Sequence, residues 1–253
     1  MARKILITGG KGGVGKTTVT ALLGISLARR GARVALIDTD FALGNLDLCV
    51  GLEGRTAFTL ADVLEGKCRA RQALVRHEKI HNLYMLGGGL GCAPDGRLFS
   101  SALTELDGQF EYLLLDGAAG VENSFFTAAA CADEAILVVT PHVASLRDAD
   151  KTAQRLKGMG VQTLSLFINQ AHGDLIVSGE ELSPSEVAKL LKLPVLGVAP
   201  HIYTLACEDS PTPHAAFRYA AQMLDGGKRK VYDVTKRYVG FFGCVRRALK
   251  RSL

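Results

Sequence analysis

Residues 10–17 read Gly-Lys-Gly-Gly-Val-Gly-Lys-Thr, and this octet constrains the surrounding chain more than any other stretch. It fits the template of a Gly, four residues of any kind, then Gly-Lys-Thr, in which backbone N–H groups wrap the phosphates of a nucleotide. Gly10, Gly12, Gly13 and Gly15 let the backbone approach an anion closely, because no Cβ stands in the way. Lys16 brings one positive charge to the β- and γ-phosphates, and the Thr17 hydroxyl is suited to Mg²⁺. The template needs a strand before the loop and a helix after it. Lys4-Ile5-Leu6-Ile7-Thr8 is a short apolar run rich in β-formers. Val19, Leu22, Leu23, Ile25 and Leu27 then recur at helical spacing. The phosphates would sit at the N-terminus of that helix, where the peptide dipoles favour negative charge.

The same alternation continues along the chain. Apolar runs predict strands over 3–8, 33–38, 82–86, 111–116, 134–140, 163–169 and 194–199. Helices are expected over 16–30, 58–66, 95–107, 121–131, 144–158, 183–192 and 213–224. Ser183-Pro184-Ser185-Glu186 reads as a helix start, with Ser at the cap, Pro in the first position and Glu in the third. Thr59-Leu60-Ala61-Asp62 is a weaker version. Runs such as Tyr112-Leu113-Leu114-Leu115 and Ile136-Leu137-Val138-Val139 do not alternate with polar residues, which suits strands covered on both faces. The expected fold is α/β and doubly wound, with a mostly parallel sheet of about seven or eight strands and helices on both faces. The division expected is a nucleotide-binding domain over 1–225, a basic linker over 226–235 and an amphipathic tail helix over 236–253.

Ligands of open α/β sheets lie at the carboxyl ends of the strands. Two acidic groups fall there: Ile37-Asp38-Thr39-Asp40 closes the second strand and Leu115-Asp116-Gly117 the fourth. A carboxylate ending an apolar strand beside a phosphate loop can serve a Mg²⁺ ion through water or orient an attacking water. An Asp that merely caps the next turn is the plainer alternative.

Lys11-Gly12-Gly13-Val14-Gly15-Lys16-Thr17-Thr18 matches throughout the motif of the deviant phosphate-loop ATPases, and the chain resembles that MinD/ParA family. Asp38-Thr39-Asp40 with Gly44-Asn45-Leu46-Asp47-Leu48 is similar to the first switch region of MinD-type members. Asp116-Gly117-Ala118-Ala119-Gly120-Val121-Glu122 is similar to their second. Ala132-Asp133-Glu134-Ala135-Ile136 and Ser145 to Asp150 also resemble MinD-type segments. The resemblance implies ATP and Mg²⁺ as ligands and slow hydrolysis of ATP. It implies a sandwich homodimer in which Lys11 crosses to the partner's phosphates. Lys11, Lys16 and Asp40 would then take part in catalysis. Lys11 through Thr18 would bind the nucleotide, Asn169 and Pro200 would border the adenine, and Thr17, Asp38 and Asp116 would serve Mg²⁺. Two departures stand out. Gly117 and Ala118 replace a usual Ser-Pro, which is expected to loosen the second switch by freeing φ. Gly44 stands where the family often has Arg.

Charge divides the chain. Residues 226–253 hold nine Lys or Arg and one acid, Asp233, whereas the remainder is slightly acidic. At helical spacing Tyr238, Phe242, Val245 and Leu249 share one side, with Phe241 at its flank. Lys236, Arg247, Lys250 and Arg251 oppose them, and Arg246 lies at the margin. Such a helix fits the surface of an anionic phospholipid membrane. Gly240 and Gly243 weaken it in water. One short anchor binds reversibly and two in a dimer bind better, which couples ATP to location. In the family the partners are a MinC-type division inhibitor and MinE or a substitute topological factor. The corresponding location is peripheral, on the inner face of the bacterial cell membrane.

Other readings of the same fold are a partition ATPase of the ParA type, with DNA as its partner, and a flagellar-number relative. DNA calls for the tail's charge but not for its aromatic residues. The chain enters its first strand almost at once, so no signal peptide is expected, and no apolar run reaches the length of a membrane span. The six cysteines form no Cys-x-x-Cys pair and read as reduced thiols.

Overall fold

The computed structural model describes residues 1–41, 44–89, 95–118, 123–202, 213–240 and 243–244. The chain begins with β1 (Arg3–Thr8), α1 (Lys16–Arg29), β2 (Val34–Asp38), α2 (Leu46–Val50), α3 (Leu60–Leu64), α4 (Ala70–Ala73), β3 (Val75–Arg76) and β4 (Leu83–Leu86). It continues through α5 (Gly96–Leu106), β5 (Tyr112–Asp116), α6 (Asn123–Ala130), β6 (Glu134–Val139) and α7 (Val143–Gly158). Then come β7 (Thr163–Ala171), α8 (Gly173–Ser178), α9 (Pro184–Leu191), β8 (Val195–Pro200) and α10 (Ala215–Leu224). The strands form one eight-stranded sheet in the order β3-β4-β2-β5-β1-β6-β7-β8. Only β3 runs antiparallel to its neighbour. Each strand and helix expected between residues 3 and 224 is present to within a few residues, whereas most of the tail helix expected over 236–253 lies outside the described residues. Additional are α2, α4, β3 and α8, each too short to carry a hydrophobic period of its own.

Burial explains the unbroken apolar runs. Along β5, Leu113 and Leu115 enter the core on one face of the sheet with Phe99 of α5, Phe125 of α6 and Leu146 of α7. Tyr112 and Leu114 enter the core on the other with Leu23 of α1 and Phe217 of α10. Alternate side chains point to opposite faces, so a strand covered on both sides must be apolar at every position. Gly24 lets α1 settle onto Leu36 of β2, where a Cβ would collide with the leucine. Phe167 of β7 stacks on Phe217 at 5.2 Å and ties α10 to the sheet. The start of α9 has both halves of the expected capping box, Ser183 with Glu186, behind Pro184. Thr59 and Asp62 form the second box at α3.

The strand order makes the site. β1 lies between β5 and β6, and β5 separates it from β2. The loop after β1 therefore emerges beside the carboxyl ends of β5 and β2, although these strands are distant in sequence.

The basic stretch after α10 lies along the body. Val234 is buried in the core, with Val231 and Tyr232 packed against it. The Lys230 ammonium sits 4.2 Å from the Tyr219 ring centre, and Tyr232 meets His214 edge-on at 4.6 Å. Tyr238 reaches the start of α8, where a Cβ on Gly173 would meet its ring at 2.9 Å. Phe241, Phe242, Val245, Arg246, Arg247, Leu249 and Lys250 lie outside the described residues.

Phe217→Ala removes a fully buried ring from the α10 contact and is expected to destabilise the fold by about 3–5 kcal/mol. Urea unfolding of both forms at one pH measures this.

Candidate functional site

The loop between β1 and α1 is shaped by its glycines. Gly13 and Gly15 have φ of 78° and 90°, conformations that a Cβ would strain. Gly15 is the N-cap of α1 and gives no side-chain hydrogen bond to the first turn. The first-turn N–H groups are thus left for a ligand, and no acidic residue in that turn repels an anion. Gly10 abuts α7, where a Cβ would collide with the Asp148 backbone. Lys11, Gly12 and Gly13 are exposed at the loop crown, Val14 is buried, and Thr17 and Thr18 are half-buried.

Lys16 is buried, with 8% of its surface exposed. Burial lowers its pKa, and the negative charges of Asp116 and Asp40 oppose that shift. Asp116 accepts a 2.7 Å hydrogen bond from the Thr20 hydroxyl, and Thr17 also donates to it. Asp38 accepts from the Asp40 N–H at 2.9 Å and the Leu46 N–H at 3.4 Å. Asp38 and Asp116 are direct partners in the β2–β5 register. Both are almost fully buried, at 2% exposure each. Burial raises Asp38 to about 7, with the Asp116 charge adding to the shift. Burial likewise raises Asp116 to about 6, against the hydroxyls of Thr20 and Thr17 and the Lys16 charge. Two carboxylates that resist ionisation next to a Thr hydroxyl are a donor set that a hard divalent cation fits. The structure brings Thr17, Asp38 and Asp116 together. Asp40, half-buried, stands at the same mouth.

The two departures from the family pattern have a steric reading. A Cβ on Gly44 would stand 2.7 Å from the Asp38 carboxylate, so glycine is what lets that carboxylate occupy its place. Gly117 does not loosen the chain at its own position. Its N–H donates to the Ile7 carbonyl at 2.9 Å, and a Cβ there would stand 2.8 Å from that oxygen. The glycine allows β5 to stay tight against β1 one residue beyond the strand. Residues 119–122 of the second switch lie outside the described residues.

Asn169, at the end of β7, is buried, and its Nδ2 donates to the Val14 carbonyl at 3.0 Å. In this structure it braces the loop. Pro200 closes β8 opposite Ala171, and the next residue, His201, stacks on His172 at 4.8 Å. Sequence reasoning missed Thr20, Thr39 and Gln170. Thr20 lies one helical turn after Lys16 and so faces the same strand ends, which the helical period made readable. The Thr39 hydroxyl donates to the Asp116 carbonyl at 2.6 Å and joins the two acidic strand ends. Gln170 donates to the Gly13 carbonyl at 3.1 Å, and no motif marks it.

Comparison with known proteins agrees with this geometry. The CobQ/CobB/MinD/ParA nucleotide binding domain model matches residues 5–201. A septum site-determining protein MinD from Synechocystis sp. is 35% identical over 263 residues, spanning 98% of this chain and 99% of the relative. The solved MinC:MinD cell division protein complex of Aquifex aeolicus has a chain that is 33% identical. It superposes with a TM-score of 0.85, covering 91% of this chain and 99% of that one. The septum site-determining protein MinD of Pyrococcus horikoshii, complexed with Mg-ADP, is 30% identical with a TM-score of 0.79. That match covers 89% of this chain and 96% of that one.

The raised carboxylates predict a pH dependence. Each holds its proton more tightly folded than unfolded. Their contribution to stability is whole below the unfolded value and is lost as pH rises through about 6 for Asp116 and about 7 for Asp38. Without Mg²⁺, Asp38→Asn is therefore expected to gain stability relative to wild type as pH rises from about 4.5 to about 7.5. Thermal melts in chelator across that range check it, and a difference that does not vary with pH would contradict it.

Proposed function

The chain belongs to the CobQ/CobB/MinD/ParA nucleotide-binding family, and from that premise we propose that it is an ATP-dependent, dimerising, membrane-associating ATPase. In this reading it positions the division septum by bringing a MinC-type division inhibitor to the membrane. The observation that carries the chemistry is the buried Lys16, set with Asp116 and Asp38 at the mouth of a glycine loop that opens onto a helix N-terminus. The full-length likeness to a chain of a MinC:MinD complex supports the division role.

Each residue then has a task. The loop N–H groups and Lys16 hold the phosphates of ATP and stabilise the charge that collects on the β-phosphate oxygens as the bond from the γ-phosphorus to the bridging oxygen breaks. Thr17, and through water Asp38 and Asp116, would hold Mg²⁺, which would further neutralise the charge of the phosphates. Asp40 orients the attacking water. Lys11, exposed on the loop crown, reaches the phosphates of a second copy, so that the site is complete only in the dimer. Asn169 and Pro200 border the base.

The membrane half of the proposal rests on charge and on the tail. Lys228, Arg229, Lys230, Lys236 and Arg237 are exposed along the segment that leads into it. Each cation near an anionic leaflet contributes about 1 kcal/mol, so pairing two tails converts weak contact into retention. MinE, or a substitute topological factor, would then set where ATP is hydrolysed and the dimer released.

Co-sedimentation with phosphatidylglycerol-containing vesicles tests the coupling. The chain should pellet with ATP and stay in solution with ADP or no nucleotide. Equal pelleting in all three states would sink the switch, and retention by DNA in place of vesicles would favour the ParA-type reading. Lys16→Gln should abolish ATP-dependent pelleting. Asp40→Ala should pellet with ATP yet release no phosphate, and surviving turnover would remove Asp40 from the water-orienting role.

A further inference from the structure

The end of β7 leaves the regular sheet in a way that aims two amides at the phosphate loop. The β7–β8 register slips between Ile168 and Ala171. Within that slip Gln170 has φ of 57°, a left-handed conformation that side chains with a Cβ rarely take. Such a backbone persists where its surroundings hold it. Neighbouring residues on a regular strand point to opposite faces, so they cannot serve one loop together. Here they do. Asn169 Nδ2 donates to the Val14 carbonyl at 3.0 Å, and Gln170 Nε2 donates to the Gly13 carbonyl at 3.1 Å. The loop also lies flush against these amides, since a Cβ on Gly15 would collide with Asn169 Nδ2.

The consequence follows from the peptide unit. It is planar and trans, so a carbonyl drawn one way turns the next residue's N–H the other way. Holding the Gly13 and Val14 carbonyls toward β7 turns the N–H groups of Val14 and Gly15 away from it, toward the hollow of the loop. Glycines at 13 and 15 make the loop able to take this shape, but the same freedom lets it take others. The two amides select one shape before any ligand arrives.

We propose that Gln170, together with Asn169, is a positioning residue of the phosphate site, and that its left-handed backbone serves to aim its amide at the Gly13 carbonyl. The proposal rests on residues 10–17 being a nucleotide-phosphate loop. It gives Gln170 a part in ATP affinity that is separate from its part in fold stability.

Two variants separate those parts. Gln170→Met keeps the bulk and the strained backbone but removes the donor. Gln170→Gly removes the donor and relieves the strain, so without nucleotide it should melt no lower than Gln170→Met. Equilibrium titration with a fluorescent ATP analogue, and competition by unlabelled ATP, gives the affinities of all three forms. Both variants should bind ATP more weakly by a similar factor of about 3–10, the loss of one neutral hydrogen bond. The loss should not follow the melting temperature. If either variant binds ATP as wild type does, or if affinity rises and falls with thermal stability, Gln170 does not position the loop. A wild-type chain that binds no ATP would refute the phosphate-loop reading as well, so the two failures are distinct.

Discussion

Asp38 and Asp116 face one another across the β2–β5 ladder, buried, beside the end of β1. That apposition is costly for an empty protein, because two carboxylates in a dry place repel and prefer to be protonated. It is met locally by the Thr20 hydroxyl, by backbone N–H groups from Asp40 and Leu46, and by the ammonium of Lys16. The arrangement leaves a place that favours positive charge directly behind a loop that favours negative charge. Much else in the structure serves that juxtaposition: the strand order that brings β2, β5 and β1 together, the glycines at 44 and 117 that admit the close approaches, and Thr39, which joins the two acidic strand ends.

The phosphate loop is braced on two sides. Gly10 lies against the backbone of α7 at Asp148, and Gly13 and Val14 are held by amides from β7. A loop of glycines would otherwise sample many shapes, and ordering it at the moment of binding would weaken the binding. Bracing moves that entropic cost into folding, where the large two-faced core offsets it.

The departures from the family pattern show how a substitution reads differently in a chain and in a fold. In sequence, glycine at 117 signals freedom. In the structure the residue is pinned to Ile7 through its amide, and the glycine is there because of what lies against it. Asn169, which the family resemblance places beside the base, also holds the loop through the Val14 carbonyl.

The amino-acid order by itself determined the period of every long element, the two-faced burial of the strands, the phosphate loop and the acidic ends of the second and fourth long strands. Those features are local: hydrophobic spacing, capping pairs and glycine runs act over one or two turns. The short elements α2, α4, β3 and α8 escaped because two to six residues hold no complete pattern, and their shape is set by what they lie on. Gln170 escaped for a related reason. Its role depends on a register slip between β7 and β8 and on a loop more than 150 residues away in the chain. Only the tertiary structure decided those pairings, because a hydrogen bond between distant residues exists only once the sheet has placed them side by side.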